Sequence, residues 1–266
     1  MCLILVAWQA HPDYPLVVAA NRDEFFARPT APAAFWPEQP GLLAGRDLEA
    51  GGTWLGITKN GRFAALTNFR DPARQRSNAP SRGQLVAGFL ASDAAIDAWL
   101  DGLSPADYNG FNLLLGDATG DGRLVAFSNI TMERHELAPG VYGLSNALLD
   151  TPWPKVGSGK TALAAALAAL PDESPLSRLL KDDTIHPDTA LPATGVPLEW
   201  ERLLSAAFIR GSGYGTRCST IVKVGSGRTA TAGSAANMGT ATFDEQTWLP
   251  GGAAGERRRY RFPIVP

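Results

Sequence analysis

Cys2 is the residue whose position most directly suggests chemistry. A small side chain at position 2 normally permits removal of Met1, which would leave a free α-amine and a thiol on one residue. An α-amine has a pKa of about 8 and a thiol one of about 8.5, so the amine could take up the thiol proton near neutral pH. This is the N-terminal-nucleophile arrangement, and it predicts that Cys2 attacks a carbonyl carbon.

Four polar segments at predicted strand ends or turns could surround this nucleophile. An acyl-transfer site needs a carboxylate that holds the amine and donors that bind the oxyanion. Asparagine amides are such donors, and an arginine near a thiol lowers its pKa. The same residue types also cap turns and form surface ion pairs, so both interpretations are open. The segments are residues 21–24, 67–70, 145–146 and 216–219.

Other motifs give weaker signals. Residues 156–161 (VGSGKT) partly match a phosphate-binding loop, but Pro154 occupies the place of its first glycine, so we expect a loop that opens a helix. The three histidines lie far apart, and two cysteines cannot form a four-cysteine zinc site or a disulfide framework. We therefore predict no metal and no cofactor.

The composition excludes several classes of protein. A hydrophobic content of 45% with 19% charged residues is typical of a globular chain. A net charge of -2 disfavours nucleic-acid binding. No apolar run approaches the roughly 18 residues of a membrane span, and the N-terminus lacks the basic start of a signal peptide. We expect a cytoplasmic protein with one domain over residues 1–266, and the sequence leaves the oligomeric state open.

Short strands in hairpins dominate the predicted elements, with a few helices between them. This order favours antiparallel sheets covered by helices over a parallel sheet. Proline-rich residues 29–40 and residues 187–197 are typical of loops. The predicted helices are 81–99, 160–170 and 198–208. The predicted strands are 3–8, 16–20, 63–68, 112–116, 124–129, 141–146, 218–224, 228–232, 240–244 and 257–262. Residues 51–58 are predicted to be a glycine turn that enters a further strand, which the Asn60-Gly61 turn joins to strand 63–68.

Several motifs together resemble the NRDE family, which is also called the transport and Golgi organisation protein 2 family. The resemblance extends from residue 1 to about residue 262. The motifs that carry it are residues 1–4 (MCLI), 21–24 (NRDE), 51–56 (GGTWLG), 66–70 (LTNFR), 81–83 (SRG), 143–146 (GLSN), 152–155 (PWPK) and 214–220 (YGTRCST).

The chain is more distantly similar to choloylglycine hydrolases and penicillin acyltransferases. This resemblance implies a four-layer αββα fold of antiparallel sheets, in the α+β class. It also implies a catalytic set in which Cys2 is the nucleophile. The other implied catalytic residues are Arg22, Asp23, Asn68, Asn146 and Arg217.

One departure concerns residues 21–24. The hydrolase pattern separates its Arg and Asp by two residues, whereas Arg22 and Asp23 are adjacent. Asn21 or Arg22 could fill the first role and Asp23 or Glu24 the second. Because side chains alternate along a strand, only one of each adjacent pair is expected to face Cys2.

The sequence thus predicts a cysteine hydrolase or acyltransferase that acts on the amide or thioester of a small acyl compound. We expect Asn21, Glu24, Trp54 and Arg70 to contact this substrate. The alternative is a non-enzymatic carrier of haem or of an acyl lipid such as acyl-CoA. Haem would need an axial ligand, for which His11 or Cys2 is the candidate.

Overall fold

The computed structural model describes residues 2–117, 122–226 and 239–265; Met1 and the predicted strand 228–232 lie outside these ranges. The strands are β1 Cys2–Trp8, β2 Leu16–Phe25, β3 Thr30–Trp36, β4 Gln39–Asp47, β5 Leu55–Thr58, β6 Arg62–Asn68, β7 Phe111–Asp117, β8 Leu124–Ser128, β9 Arg134–Glu136, β10 Gly140–Leu144, β11 Tyr214–Gly225, β12 Thr240–Trp248 and β13 Ala254–Pro263. The α-helices are α1 Gly83–Leu90, α2 Ile96–Asp101, α3 Pro154–Leu167, α4 Ser174–Leu179 and α5 Leu198–Leu203.

Two antiparallel sheets stack with helices on both outer faces. One sheet has the order β10-β1-β2-β11-β12-β13, and the other runs from β3 to β9 in chain order. Apolar side chains from both sheets, such as Val18 and Phe63, form the core between them. Helices α3 and α4 pack on the outer face of the first sheet, and α1 and α2 pack on the second. The predicted four-layer αββα fold is therefore confirmed.

Strand β1 lies between β10 and β2, so both its edges are paired and both its faces are covered. Ile4 and Val6 point into the core between the sheets, whereas Leu3 and Leu5 point towards α3. Burial on both faces explains why β1 is a continuous apolar run instead of an alternating one. The same alternation directs Cys2, two residues before Ile4, towards the space between the sheets.

Strand β2 is longer than predicted, which changes the setting of the polar cluster at residues 21–24. The predicted end at Ala20 is wrong, because β2 continues to Phe25 and pairs with β11 over this length. The cluster therefore lies on a strand, and its side chains point alternately to opposite faces. Asn21 can be buried there because its amide donates to the carbonyls of Leu180 and Ala207.

The composition of the proline-rich segment 29–40 predicted a loop, and this prediction is wrong. It forms β3 and the start of β4. Strand β3 is the edge of its sheet, where a proline such as Pro32 removes no hydrogen bond that a neighbouring strand needs. A register shift between Ala31 and Ala34 accommodates Pro32.

The predicted helix 81–99 is two helices, α1 and α2. The chain leaves helical geometry after Leu90, where the Ser92 hydroxyl donates to the Phe89 carbonyl. The Arg62 guanidinium donates to the carbonyls of Phe89 and Ala94. These side-chain hydrogen bonds replace those that would continue the helix.

Helix α3 begins at Pro154 instead of residue 160, so the segment 156–161 is helical and not a loop. Proline suits the first turn of a helix because its missing N–H would have no partner there. Gly159 lies against β1, and a Cβ atom on it would come within 2.8 Å of the Leu5 side chain. The glycine lets α3 pack closely on the strand that carries Cys2. Helix α5 ends at Leu203, five residues before its predicted end.

Among the described residues, no helix combines the length and the apolar character that crossing a bilayer requires.

Candidate active site

Cys2 occupies the open end of the layer between the sheets. It pairs with Arg22 across β1 and β2, and opposite residues of an antiparallel pair project to the same face. Only 9% of Cys2 is exposed, and that part lines a cavity of ≈ 370 Å³. The cavity is lined by Cys2, Arg22, Asp23, Glu24, Arg28, Asp47, Glu49, Ala50, Thr53, Trp54, Leu66, Asn68, Arg76, Ser77, Ala79, Pro80, Ser81, Arg82, Gly83 and Asn109.

Arg22 is held against the cavity wall by several contacts. Its guanidinium lies 4.4 Å from the centre of the Trp54 ring and donates to the Thr30 hydroxyl at 3.3 Å. The nearest carboxylate oxygens of Asp47 and Glu24 are 3.7 and 3.9 Å from its Nη2. Trp54 and these two carboxylates fix a buried positive charge next to the thiol.

Asp23 projects to the other face of β2 from Arg22 but also lines the cavity at the end of the sheet. The Thr216 hydroxyl donates to its Oδ1 at 2.7 Å. Burial raises the pKa of Asp23, and the charge of Lys155 acts against this increase. Lys155 is 2% exposed, and burial lowers its pKa to about 8 while Asp23 opposes that decrease. The charges of a buried carboxyl group and a buried ammonium group thus influence each other at this end of the sheet.

Burial is also the main influence on the thiol. It raises the pKa of Cys2, and the Asp23 carboxylate contributes in the same direction. The Arg22 guanidinium acts the other way because it stabilises the thiolate. A proton acceptor close to the sulfur would therefore assist its attack on a carbonyl.

Asn68 ends β6 and lines the cavity, and Asn146 lies behind it. The Asn146 amide donates to the Asn68 carbonyl at 2.8 Å, and the Asn146 carbonyl accepts the Arg70 backbone N–H at 2.7 Å. The neighbouring Ser145 hydroxyl donates to the Cys2 carbonyl at 3.0 Å. The segment 145–146 thus connects the backbone of the nucleophile to the strand end that carries Asn68.

Like Asn146, three further predicted site residues do not line the cavity. Asn21 faces the helical layer, where its Oδ1 accepts the Ser219 hydroxyl at 2.6 Å. Arg70 forms a buried ion pair of 2.7 Å with Glu201. The Arg217 guanidinium donates to the carbonyls of residues 25 and 28, so it fixes a turn next to the cavity. The contacts of Asn21, Arg70 and Arg217 therefore stabilise the fold around the cavity, and these three side chains do not line it.

The prediction that only one residue of each adjacent pair in segment 21–24 faces Cys2 is only partly correct. It separates Asn21 from Arg22, because Arg22 alone of this pair reaches the cavity. It fails for the next pair, since both Asp23 and Glu24 line the cavity. At the end of a sheet the side chains of both faces can reach the same space.

Lys155 and Arg82 are the principal site residues that the sequence did not assign. Both belong to motifs that carry the family resemblance, the PWPK and SRG segments. The burial of Lys155 depends on the packing of α3, and the position of Arg82 depends on the start of α1. Neither feature can be predicted from the local sequence. The two motifs themselves were the only indication in the sequence that these residues belong to the site.

Within residues 2–117, 122–226 and 239–265, no group of three or more His, Cys, Asp or Glu side chains is arranged to bind a metal. His11 follows the far end of β1 from Cys2, and its Nδ1 accepts the Asp13 backbone N–H. Of the described cavity-lining residues, Cys2 alone has a side chain of a type that commonly ligates haem iron.

The fold and the cavity define an αββα protein with a cysteine at the start of a central strand. The family model described as Transport and Golgi organisation 2 matches residues 1–233. The chain is 40% identical over 247 residues to the Transport and Golgi organization protein 2 homolog of Bos taurus, covering 84% of this chain and 88% of that protein. The chain belongs to the transport and Golgi organisation 2 family, as its motifs predicted.

Solved structures with a similar fold include two hydrolases. One is a Caenorhabditis elegans ortholog of N-acylethanolamine-hydrolyzing acid amidase, with a TM-score of 0.44, 11% identity, and coverage of 83% of this chain and 92% of that chain. The other is a mutant conjugated bile acid hydrolase from Clostridium perfringens, with a TM-score of 0.44, 12% identity, and coverage of 98% and 97%.

Proposed function

We propose that this protein is a cysteine N-terminal-nucleophile enzyme that hydrolyses or transfers the acyl group of a small amide or thioester. The observation that carries the proposal is the position of the Cys2 thiol in a cavity that Asp23 and Asn68 also line. The cavity volume falls in the range of roughly 300–1,000 Å³ that is typical of small-molecule sites.

The proposed reaction begins after Met1 has been removed, when Cys2 carries a free α-amine. The amine takes the thiol proton, and the sulfur attacks the acyl carbonyl to form a tetrahedral oxyanion. Collapse of this intermediate breaks the bond to the leaving group, which receives the proton from the ammonium. Water or another acceptor then attacks the resulting thioester, loses a proton to the amine and releases the acyl group with the thiol restored.

We assign each neighbouring side chain a role in this reaction. Asp23 stabilises the α-ammonium, and Lys155 favours the ionised form of this buried carboxyl. Arg22 stabilises the thiolate. Asn68 donates to the oxyanion, for which one donor contributes roughly 2.7–4 kcal/mol. Asn146 holds the Asn68 backbone through its amide, so we propose it as a positioning residue.

A panel of acyl amides and thioesters tests this proposal. We expect wild-type protein to release the leaving group of at least one donor and to carry an acyl adduct on Cys2. Cys2→Ala should lose both signals while its urea-unfolding midpoint stays close to that of the wild type.

Cys218→Ala is the matched control, since Cys218 is also a buried cysteine but does not line the cavity. It should retain turnover. Turnover by Cys2→Ala would contradict the mechanism. Binding of a donor by wild-type protein with neither adduct nor turnover would favour the carrier function instead.

A further inference from the structure

The charged residues of the cavity are paired unevenly. On one wall, Arg28 contacts the carboxylates of Asp47 and Glu49 at 2.7 and 2.9 Å. Arg22 lies 3.7 Å from Asp47 and 3.9 Å from Glu24. The two arginines of this wall thus have carboxylates close enough to offset their charges.

A second part of the cavity wall, formed by residues 76–83, carries Arg76 and Arg82. In the part of the chain that the structure describes, no ion pair within 4.0 Å involves either guanidinium. Arg82 donates to the Gly110 carbonyl at 3.0 Å, and Arg76 donates to the carbonyls of Ala106 and Tyr108 at 2.8 and 2.7 Å. Carbonyls fix the two side chains in place, and in the described part of the chain neither guanidinium has a carboxylate within ion-pair distance.

Close backbone packing fixes this wall beside the nucleophile. The Thr53 N–H donates to the Gly83 carbonyl at 3.1 Å, and a Cβ atom on Gly52 would lie only 2.3 Å from the Gly83 carbonyl carbon. The start of α1 is therefore held against the segment that leads to Trp54. Burial lowers the pKa of Arg82, whereas Glu24 and the Cys2 sulfur act to raise it, as expected for a guanidinium within electrostatic range of the thiol.

We propose that Arg82 and Arg76 bind an anionic group of the substrate, so that the Cys2 site takes acyl compounds that carry a carboxylate or a phosphate. A guanidinium presents several N–H donors in a planar fork that matches both of these groups. Ser77 and Ser81 line the same wall and add hydroxyl donors. This inference rests on the proposed function, because it assigns a substrate class to that site.

The first test compares the alkylation of Cys2 by iodoacetate and by iodoacetamide, which differ in charge. Peptide mass spectrometry reports the rate of each reaction at Cys2. We expect Arg82→Met to lower the ratio of the iodoacetate rate to the iodoacetamide rate by roughly tenfold, the lower end of electrostatic steering effects. Arg76→Met should lower it less, and Arg82→Lys should retain part of it.

Arg74→Met is the matched control. Arg74 belongs to the same segment, but its side chain is 80% exposed, pairs with Asp71 and does not line the cavity. Its rate ratio should equal that of the wild type. An unchanged ratio in both Arg82→Met and the double variant of Arg76 and Arg82 would overturn the inference. A Cys2 that neither reagent reaches would also overturn it, because the site is defined beside an accessible thiol.

Protection experiments distinguish the two anions. Inorganic phosphate that slows the reaction of Cys2 with iodoacetamide in wild type but not in Arg82→Met would assign a phosphate, and the same effect of acetate would assign a carboxylate. Protection by neither anion would count against the inference.

The final arm separates this inference from the proposed function. Acyl 4-nitroanilides and acyl 3-carboxy-4-nitroanilides with the same acyl group differ in the charge of the leaving group. Acylation of Cys2 without a charge preference would overturn the inference and leave the proposed function intact. A charge-dependent alkylation ratio without acylation by any donor would overturn the proposed function and leave the anion-binding site in place.

Discussion

Cys2 and Cys218 occupy nearly equivalent places in the sheet but have different surroundings. Each is opposite Arg22, one on β1 and the other on β11, and each is buried. Burial raises the pKa of both thiols, most strongly that of Cys218. Cys2 nevertheless lines the cavity, whereas Cys218 packs in the core between the sheets.

A buried carboxyl group lies near each of the two thiols, and burial raises the pKa of both carboxyl groups. Near Cys2, the buried charge of Lys155 opposes the increase in the pKa of Asp23. Glu245, near Cys218, accepts the Ala33 backbone N–H at 2.6 Å, and burial raises its pKa. Strand position alone therefore does not mark a nucleophile. Access to a cavity distinguishes Cys2 from Cys218.

The largest effect is expected at Asp23, for which Glu245 is the matched control. Asp23→Asn removes the charge that stabilises the α-ammonium, so the rate of Cys2 acylation should fall by about 10²–10⁴-fold, as for the loss of an acid–base partner. Glu245→Gln should leave that rate unchanged. Single-turnover acylation kinetics provide the measurement, and equal losses in the two variants would remove the distinction between the two cysteines.

Lys155 should give the wild-type protein a pH-dependent stability. Its pKa falls from 10.5 to about 8 on folding, so between these values the unfolded chain binds more protons and the free energy of unfolding rises with pH. The contribution of Lys155 should total about 3 kcal/mol at 1.36 kcal/mol per pKa unit. It is measured as the difference between the wild type and Lys155→Met, because the buried thiols of Cys2 and Cys218, whose pKa values are raised, contribute in the opposite direction above about pH 8.5. Urea unfolding at several pH values measures it.

Lys155→Met should lose this rise in stability. Lys160→Met, on the same helix, is the control, because Lys160 is partly exposed and pairs with Asp150. Its rise should match that of the wild type. A rise that persists in Lys155→Met would mean that another group binds the protons.

Arg22 should influence both thiols, since its charge lowers the pKa of each. Arg22→Met should therefore raise the pKa of Cys2 by about one unit, the lower end of the effect of a close opposite charge. The pH dependence of iodoacetamide alkylation at Cys2 reports this shift. A profile that does not move to higher pH would show that Arg22 does not stabilise the thiolate.

The smallest effect is expected from Cys218→Ala. Loss of one small buried side chain should lower the free energy of unfolding by about 1 kcal/mol. The acylation rate of Cys2 should not change. Chemical denaturation with a parallel acylation assay checks both outcomes, and a loss of acylation would indicate that Cys218 belongs to the site.

Much of the fold could be predicted from local patterns. The apolar run of β1 and the Asn60-Gly61 turn between β5 and β6 follow from residue type and spacing. The errors arose where tertiary contacts override local preference. Pro32 lies on an edge strand, and Arg62 binds carbonyls where a helix was expected to continue.

The site was also predictable where local motifs define it and not where tertiary contacts do. Cys2, Arg22, Asp23 and Asn68 line the cavity, as their motifs suggested. The position of Arg217 depends on a register shift in β11 between Thr216 and Cys218, which no local pattern indicates. The burial of Lys155 likewise depends on how α3 packs.

Intact-mass spectrometry of the wild-type protein before and after exposure to an acyl donor tests the central claim most directly. We predict a mass lower by one methionine residue, followed by an increase equal to the acyl group that peptide mapping places on Cys2. A chain that retains Met1, or an acyl group found on Cys218 instead, would contradict the assignment of Cys2 as an N-terminal nucleophile.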